Sequence, residues 1–256
     1  MINSVSNAKV KYVMNLQKKS KFREQENIFV VEGIKMFMET PKHLIEKVYV
    51  TETFLDSHKE LFENVEYETV TDRVFEQMSD TKTPQGVLVL VKMQKRNISD
   101  IAKCKSPYII VAEDLQDPGN LGTIVRTAEG AGIDGIILSK NTVDIYNPKT
   151  IRSTMGSIYR VPVYISDNIV ATIKELQKMG VSTYAAHLSG EKYYSDCDYK
   201  SATAFVIGNE SKGISREAAK ACDNLIKIPM KGEVESLNAA IAAAILMYEG
   251  AKQRQS

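Results

Sequence analysis

Hydrophobic positions in this chain follow two rhythms. Continuous apolar runs at 108–112 (YIIVA), 135–138, 161–165, 183–186, 204–207 and 225–228 read as strands buried on both faces. Between them lie stretches with apolar residues at helical spacing, such as 169–179. About six strands alternating with helices predict a parallel sheet covered on both sides. The last predicted helix, opened by Ser236, carries Leu237, Ile241, Ile245 and Tyr248 among alanines.

The first 90 residues alternate on a smaller scale. Residues 6–23 have Val10, Val13 and Met14 at helical spacing behind Ser6 as a cap, which predicts one basic amphipathic helix. A strand at 28–31 runs into a helix (EGIKMFME) that stops at Thr40-Pro41, because proline disfavours helix at the residue before it. Strand-like 48–50, helix-like 54–62, a segment at 65–70 and a helix at 73–78 follow. The polar turn SDTKTPQG then delivers the chain into a strand at 87–91. The predicted organisation is α/β throughout: a smaller domain at 1–95, a linker at 96–106 where charge and a proline break the pattern, and a parallel-sheet domain at 107–256.

Composition narrows the class. A chain of 256 residues, 43% of them apolar, is long enough for two cores. No apolar run reaches about 18 residues and no signal-peptide pattern opens the chain, so the expectation is a cytoplasmic protein outside the membrane. The three cysteines, Cys104, Cys197 and Cys222, are far apart and lack CxxC spacing, which argues against disulfides and zinc. His43, His58 and His187 show no ligand spacing, so no metal site is expected.

The net charge of +1 hides two basic segments. Residues 1–23 carry Lys9, Lys11, Lys18, Lys19, Lys21 and Arg23 without an acid, and 92–105 carry Lys92, Lys95, Arg96, Lys103 and Lys105 against Asp100. Such segments track nucleic-acid phosphate, or form a solvated helix face and a polar linker.

Two nucleotide-binding patterns fail on context. GAGIDG at 130–135 matches G-x-G-x-x-G but ends a helix and precedes a strand, the reverse of the dinucleotide fingerprint, so it reads as a helix stop. GNESKGIS at 208–215 has P-loop glycine spacing with Ile214 where lysine is needed. Asp117-Pro118, by contrast, is a good helix entry after the 108–112 strand, with Ile124, Val125 and Ala128 on the packed face. This puts Asn120 and Arg126 near a strand's carboxyl end, where open α/β sheets bind ligands. Glu113 and Asp114 read there as paired acids or as capping groups.

Three ordered segments, NLGTIVRTAEGAG (120–132), VIGNESKGIS (206–215) and IPMKGEVESLNAAIAAAI (228–245), resemble the motifs of the SpoU/TrmH family in the SPOUT class of RNA methyltransferases. More loosely, FVVEGIKMF and TPQGVLVLV resemble a ribosomal-protein-like RNA substrate-binding domain. The resemblance implies methyl transfer from S-adenosylmethionine to a ribose 2′-hydroxyl of RNA, with ribosomal RNA favoured over tRNA. It also implies a C-terminal trefoil knot and a homodimer whose seam is the last helix, although that helix equally suits a core. Matching family positions assign Ala186, His187, Leu188, Gly208, Ile228, Met230 and Leu237 to the cofactor, with main-chain recognition as the reason for glycine at 208. They assign Arg126, Asn120, Glu210, Ser236 and Asn238 to catalysis, Arg126 orienting phosphate and hydroxyl and stabilising a developing alkoxide. Ser236 reads equally as the helix N-cap. The competing expectation is a noncatalytic RNA-binding or ribosome-assembly factor on the same fold, whose mark would be loss of the arginine and asparagine positions. All are present here.

Overall fold

Residues 1–234 and 236–255 are described by the structure, a computed structural model, with the side chain of Ala102 excepted. They divide into two units: 1–95 with 144–159, and 96–143 with 160–256.

In the first unit the elements are α1 (Ala8–Lys18), α2 (Ser20–Glu26), β1 (Ile28–Glu32), α3 (Ile34–Glu39), β2 (Ile45–Thr51), α4 (Glu52–Ser57), β3 (Tyr67–Val70), α5 (Asp72–Met78) and β4 (Val87–Lys92). The sheet order is β1-β4-β2-β3, with β4 antiparallel to β1 and β2 and β3 parallel to β2. The carboxyl ends of β1, β2 and β3 therefore share one edge with the start of β4. Val10, Val13 and Leu16 of α1 close the core against Val74, Phe75 and Met78 of α5.

The single helix expected over 6–23 is two helices. Lys19 takes an extended conformation (φ −124°, ψ 109°), and the cap is Asn7, whose side chain accepts from the Lys9 N–H at 2.8 Å, rather than Ser6. This break turns Arg23 inward. The residue is 3% exposed, and its guanidinium donates to the carbonyls of Leu16 and Gln17 and pairs with Asp144. Arg23 thus holds the open end of α1 instead of facing solvent. Lys9, Lys92 and Lys103 also have acidic partners, Glu68, Glu46 and Asp100. Lys11, Lys18, Lys19 and Lys21 remain exposed.

The second unit is built from β5 (Tyr108–Ala112), α6 (Pro118–Ala131), β6 (Gly135–Ser139), β7 (Val163–Ser166), α8 (Ile169–Lys178), β8 (Ser182–Ala186), β9 (Lys192–Tyr193), β10 (Thr203–Ile207), α9 (Arg216–Ala221) and β11 (Asn224–Lys227). A helix at Pro148–Thr154, α7, intervenes in sequence, and α10 (Ala239–Arg254) ends the chain. The seven strands run in the order β7-β6-β5-β10-β8-β11-β9, all pairs parallel. The strand beyond the expected six is β9, two exposed residues too short to register as a hydrophobic run.

Two stretches depart from the expected organisation. Residues 96–106 are not a free linker: Asn97 and Asp100 form a capping box on a 3₁₀ turn, Ile98–Lys103, whose Ile101 is 2% exposed in the core with Ile109 and Val111. Residues 144–159 belong with the first unit, where α7 packs on β1, Tyr146 lies 4.7 Å from the Phe29 ring centroid, and Tyr159 shares a 2.8 Å hydrogen bond with Thr40. α7 stops at Thr154 because Met155 (φ 52°) and Gly156 (φ 95°) are left-handed.

Candidate active site

Because the sheet of the second unit is parallel, the loops after β5, β8, β10 and β11 emerge on one edge. The loop after β8 is tied to β11 by a hydrogen bond from the His187 N–H to the Ile226 carbonyl (2.8 Å). The Ser189 N–H donates to His187 Nδ1 (3.2 Å). After β10, Asn209 and Gly213 exchange backbone hydrogen bonds of 3.0 and 2.9 Å, and Asn209 Oδ1 accepts from the N–H groups of Ser211 (2.9 Å) and Lys212 (3.0 Å). The turn is braced by its own hydrogen bonds.

These loops and the start of α10 enclose a cavity of about 310 Å³ lined by Ala186, His187, Leu188, Gly208, Ile228, Met230 and Leu237, with Glu210 and Ser236. Its size is at the lower end of the range for small-molecule sites, and its walls combine apolar side chains with main chain. An adenosine-bearing cofactor fits that chemistry, with apolar walls for a flat ring and backbone groups for its polar edge. Glycine at 208 has a cause within the chain itself. A Cβ there would sit 2.1 Å from the Gly213 carbonyl carbon and 2.2 Å from the Ile214 nitrogen. The chain's own turn, closing on itself, excludes a side chain.

Beside the cavity, Glu210 draws two other loops together. Its carboxylate accepts from the backbone N–H groups of Gln116 and Asp117 and from Asn120 Nδ2, each at 3.1 Å. Asn238 Nδ2 donates to Asn120 Oδ1 (2.8 Å), while Asn238 Oδ1 accepts from the N–H groups of Ala240 (2.9 Å) and Ile241 (3.3 Å). Burial alone would raise the Glu210 pKa, but the Asn120 and backbone hydrogen bonds outweigh it and hold the carboxyl below its usual range. Glu210 is thus held as an anion by three donors from the loop after β5 and the start of α6. The N-cap of α10 is Asn238, and Ser236 lies outside the helix among the cavity walls.

The neighbouring acids are structural. Glu113 accepts from both the N–H and hydroxyl of Ser215 (2.7 Å each), the N-cap of α9, and Asp114 accepts from the Ser139 hydroxyl at 2.6 Å. Among the described residues no three His, Cys, Asp or Glu side chains gather to hold a metal, and no helix is long and apolar enough to cross a membrane.

The profile of the SpoU rRNA Methylase family matches residues 107–248, more than half of the chain. The chain belongs to that family. Residues 7–89 match the MRM3-like substrate binding domain. The 23S rRNA (guanosine(2553)-2′-O)-methyltransferase RlmP of Bacillus subtilis (strain 168) is 32% identical over 250 residues, covering 96% of this chain and 97% of that protein. A crystal structure of an AdoMet-bound rRNA methyltransferase from Sinorhizobium meliloti is similar at a TM-score of 0.88 and 29% identity, covering 100% of this chain and 98% of the other. The SpoU methyltransferase AviRb from Streptomyces viridochromogenes, in complex with AdoMet, shares the fold at a TM-score of 0.89 and 24% identity, covering 98% and 99%.

One residue of this SpoU family member stands apart from the rest of its expected site. Arg126 is exposed on α6 and is not among the cavity walls. It lies six residues beyond Asn120, about 9 Å along the helix and a third of a turn out of line. No hydrogen-bond or ion-pair partner holds it among the described residues. Sequence reading missed the Gln116 and Asp117 backbone donors, Asn209 as the turn's internal brace, and Ser211, Lys212 and Lys227 as cavity walls. The signal for them was contiguity with the three SpoU motifs.

Proposed function

We propose that this chain transfers a methyl group from S-adenosylmethionine to a ribose 2′-hydroxyl of ribosomal RNA. The observation that carries the reading is the convergence of all three SpoU motifs on one sheet edge, where a cavity adjoins the Glu210–Asn120–Asn238 chain of hydrogen bonds. When bound, the cofactor supplies an electrophilic methyl group on a sulfonium, which needs no metal activation.

The protein's part is positioning. Main chain at 186–188, 208, 228–230 and 237 would hold the cofactor, and Glu210 fixes Asn120, and through it Asn238, beside the cavity. Arg126 meets the RNA, pairing with phosphate and stabilising negative charge on the hydroxyl oxygen. Its contribution is electrostatic and orientational, as suits a planar fork of N–H donors facing phosphate. Ser236 contacts the substrate from the cavity wall.

The first unit captures RNA and the second performs the chemistry. Exposed Ile241 (51%) and Tyr248 (54%) on α10 support a homodimer in which a second copy covers this face. The knotted C-terminal path of SPOUT proteins and a cytoplasmic location, where ribosomal RNA is made and modified, belong to the same reading.

The test is to incubate the protein with methyl-labelled S-adenosylmethionine and unmodified bacterial ribosomal and transfer RNAs, then map label by resistance to alkaline cleavage. Ribose label in ribosomal RNA is expected. Label in transfer RNA alone would reassign the substrate. Cofactor binding absent in the same preparation, with no label in any RNA, would favour the noncatalytic assembly factor.

A further inference from the structure

The first unit has a cavity of its own, of about 400 Å³, lined by Phe54, His58, Asp72, Phe75, Glu76 and Gln85 among others. It opens at the shared edge where β2 and β3 end and β4 begins, the end of an α/β sheet at which ligands gather. Phe54 and His58 lie stacked with centroids 4.2 Å apart and planes 15° from parallel, a platform that a third flat ring can extend.

The far wall is held in place by the chain itself. Glu32 accepts from the hydroxyls of Ser79 (2.6 Å) and Thr81 (2.7 Å), which anchors the polar SDTKTPQG turn. Gly86 brings that turn onto α4: it has φ +92°, and a Cβ would fall 2.6 Å from Thr51 Oγ1 and 2.9 Å from the Phe54 Cβ. Gln85 Oε1 accepts from the Ile34 N–H at 2.9 Å, so its Nε2 is left as a donor. Asp72 and Glu76 are exposed and have no partner among the described residues.

We infer that this cavity receives one unstacked guanine base of the RNA substrate, at a position other than the methylated nucleotide. Guanine alone among the four bases pairs two adjacent donors, N1–H and N2–H, with an acceptor, O6, on one edge. The carboxylates of Asp72 and Glu76 suit the donors and Gln85 Nε2 suits O6. An unpaired carboxylate pair repels phosphate, which favours a base edge here over the RNA backbone.

The inference rests on the reading of the chain as an RNA-acting enzyme, and its test needs neither cofactor nor methyl transfer. Fluorescein-labelled pentanucleotides UUGUU, UUAUU, UUCUU and UUUUU are titrated into the full chain and followed by anisotropy. UUGUU should bind at least about fivefold more tightly than the other three. In Asp72→Asn/Glu76→Gln the preference should vanish, with the thermal midpoint and the circular-dichroism spectrum kept as checks on folding. Gln85→Glu, which keeps the acceptor for Ile34 and removes the donor, should also abolish it. Equal or undetectable binding of all four by the unaltered chain, a preference for another base, or a guanine preference that survives in folded variants would overturn the assignment. A failure of methyl transfer with the guanine preference intact would overturn the catalytic reading alone.

Discussion

Asn238 donates its side-chain amide to Asn120 at 2.8 Å across 118 residues of chain, and Asn120 in turn donates to Glu210. Three motifs are locked by two amide groups whose donor and acceptor ends are both used. Glu210→Gln would replace an acceptor of three hydrogen bonds with a group that must also donate. Turnover should fall at least about tenfold, about 1.4 kcal/mol of barrier, and stability by about 1 kcal/mol in urea unfolding. Because the Glu210 pKa lies lower in the fold than in the unfolded chain, its stabilisation is full above the ordinary glutamate range and lost as pH falls through the lowered value. A pH titration of the unfolding free energy should therefore show the two proteins converging only in acid.

Arg126 is exposed and has no partner among the described residues, so its removal should leave folding untouched. Arg126→Ala is expected to bind S-adenosylmethionine with nearly unchanged affinity while turnover drops at least about tenfold, about 1.4 kcal/mol. Isothermal titration and single-turnover label transfer separate the two quantities. Turnover equal to that of the unaltered protein would remove Arg126 from the mechanism.

Gly208→Ala forces a Cβ against the backbone of Gly213 and Ile214 at 2.1–2.2 Å, and neither backbone can rotate away as a side chain would. Overpacking of this kind costs about 1–3 kcal/mol. Cofactor affinity should fall with stability, because the displaced turn is a cavity wall. Gly232→Ala, with open space around its Cβ, is the control and should change little in a thermal melt.

Arg23→Ala should destabilise the first unit by about 3 kcal/mol, since it leaves Asp144 without its partner and the Leu16 and Gln17 carbonyls without a donor. Lys18→Ala, an exposed neighbour, should fall within about 0.5 kcal/mol of the unaltered protein. In RNA binding the order reverses: Lys18→Ala should shallow the salt dependence, whereas Arg23→Ala, in protein that remains folded, should not.

The hydrophobic record alone was enough for most elements of both sheets. Buried parallel strands need apolar side chains on both faces, so Tyr108–Ala112 and Thr203–Ile207 announce themselves wherever they fold. Caps were legible where the signal is local: Asp117 and Pro118 open α6 as their spacing requires, because capping is settled within one helical turn. The three SpoU motifs could be recognised for the same reason, each being a continuous stretch.

Tertiary structure decided what depends on partners distant in the chain. Ile145, Ile151 and Ile158 are apolar enough for any core, and only packing assigns their segment to the first unit. Arg23 looks like the lysines around it until Asp144 and two carbonyls surround it. Glu210 is merely an acid in a glycine-bounded turn until Gln116, Asp117 and Asn120 arrive from another loop. Local sequence sets which backbone a residue prefers. Charge, protonation and site membership come from neighbours, and those are supplied by closing the sheet.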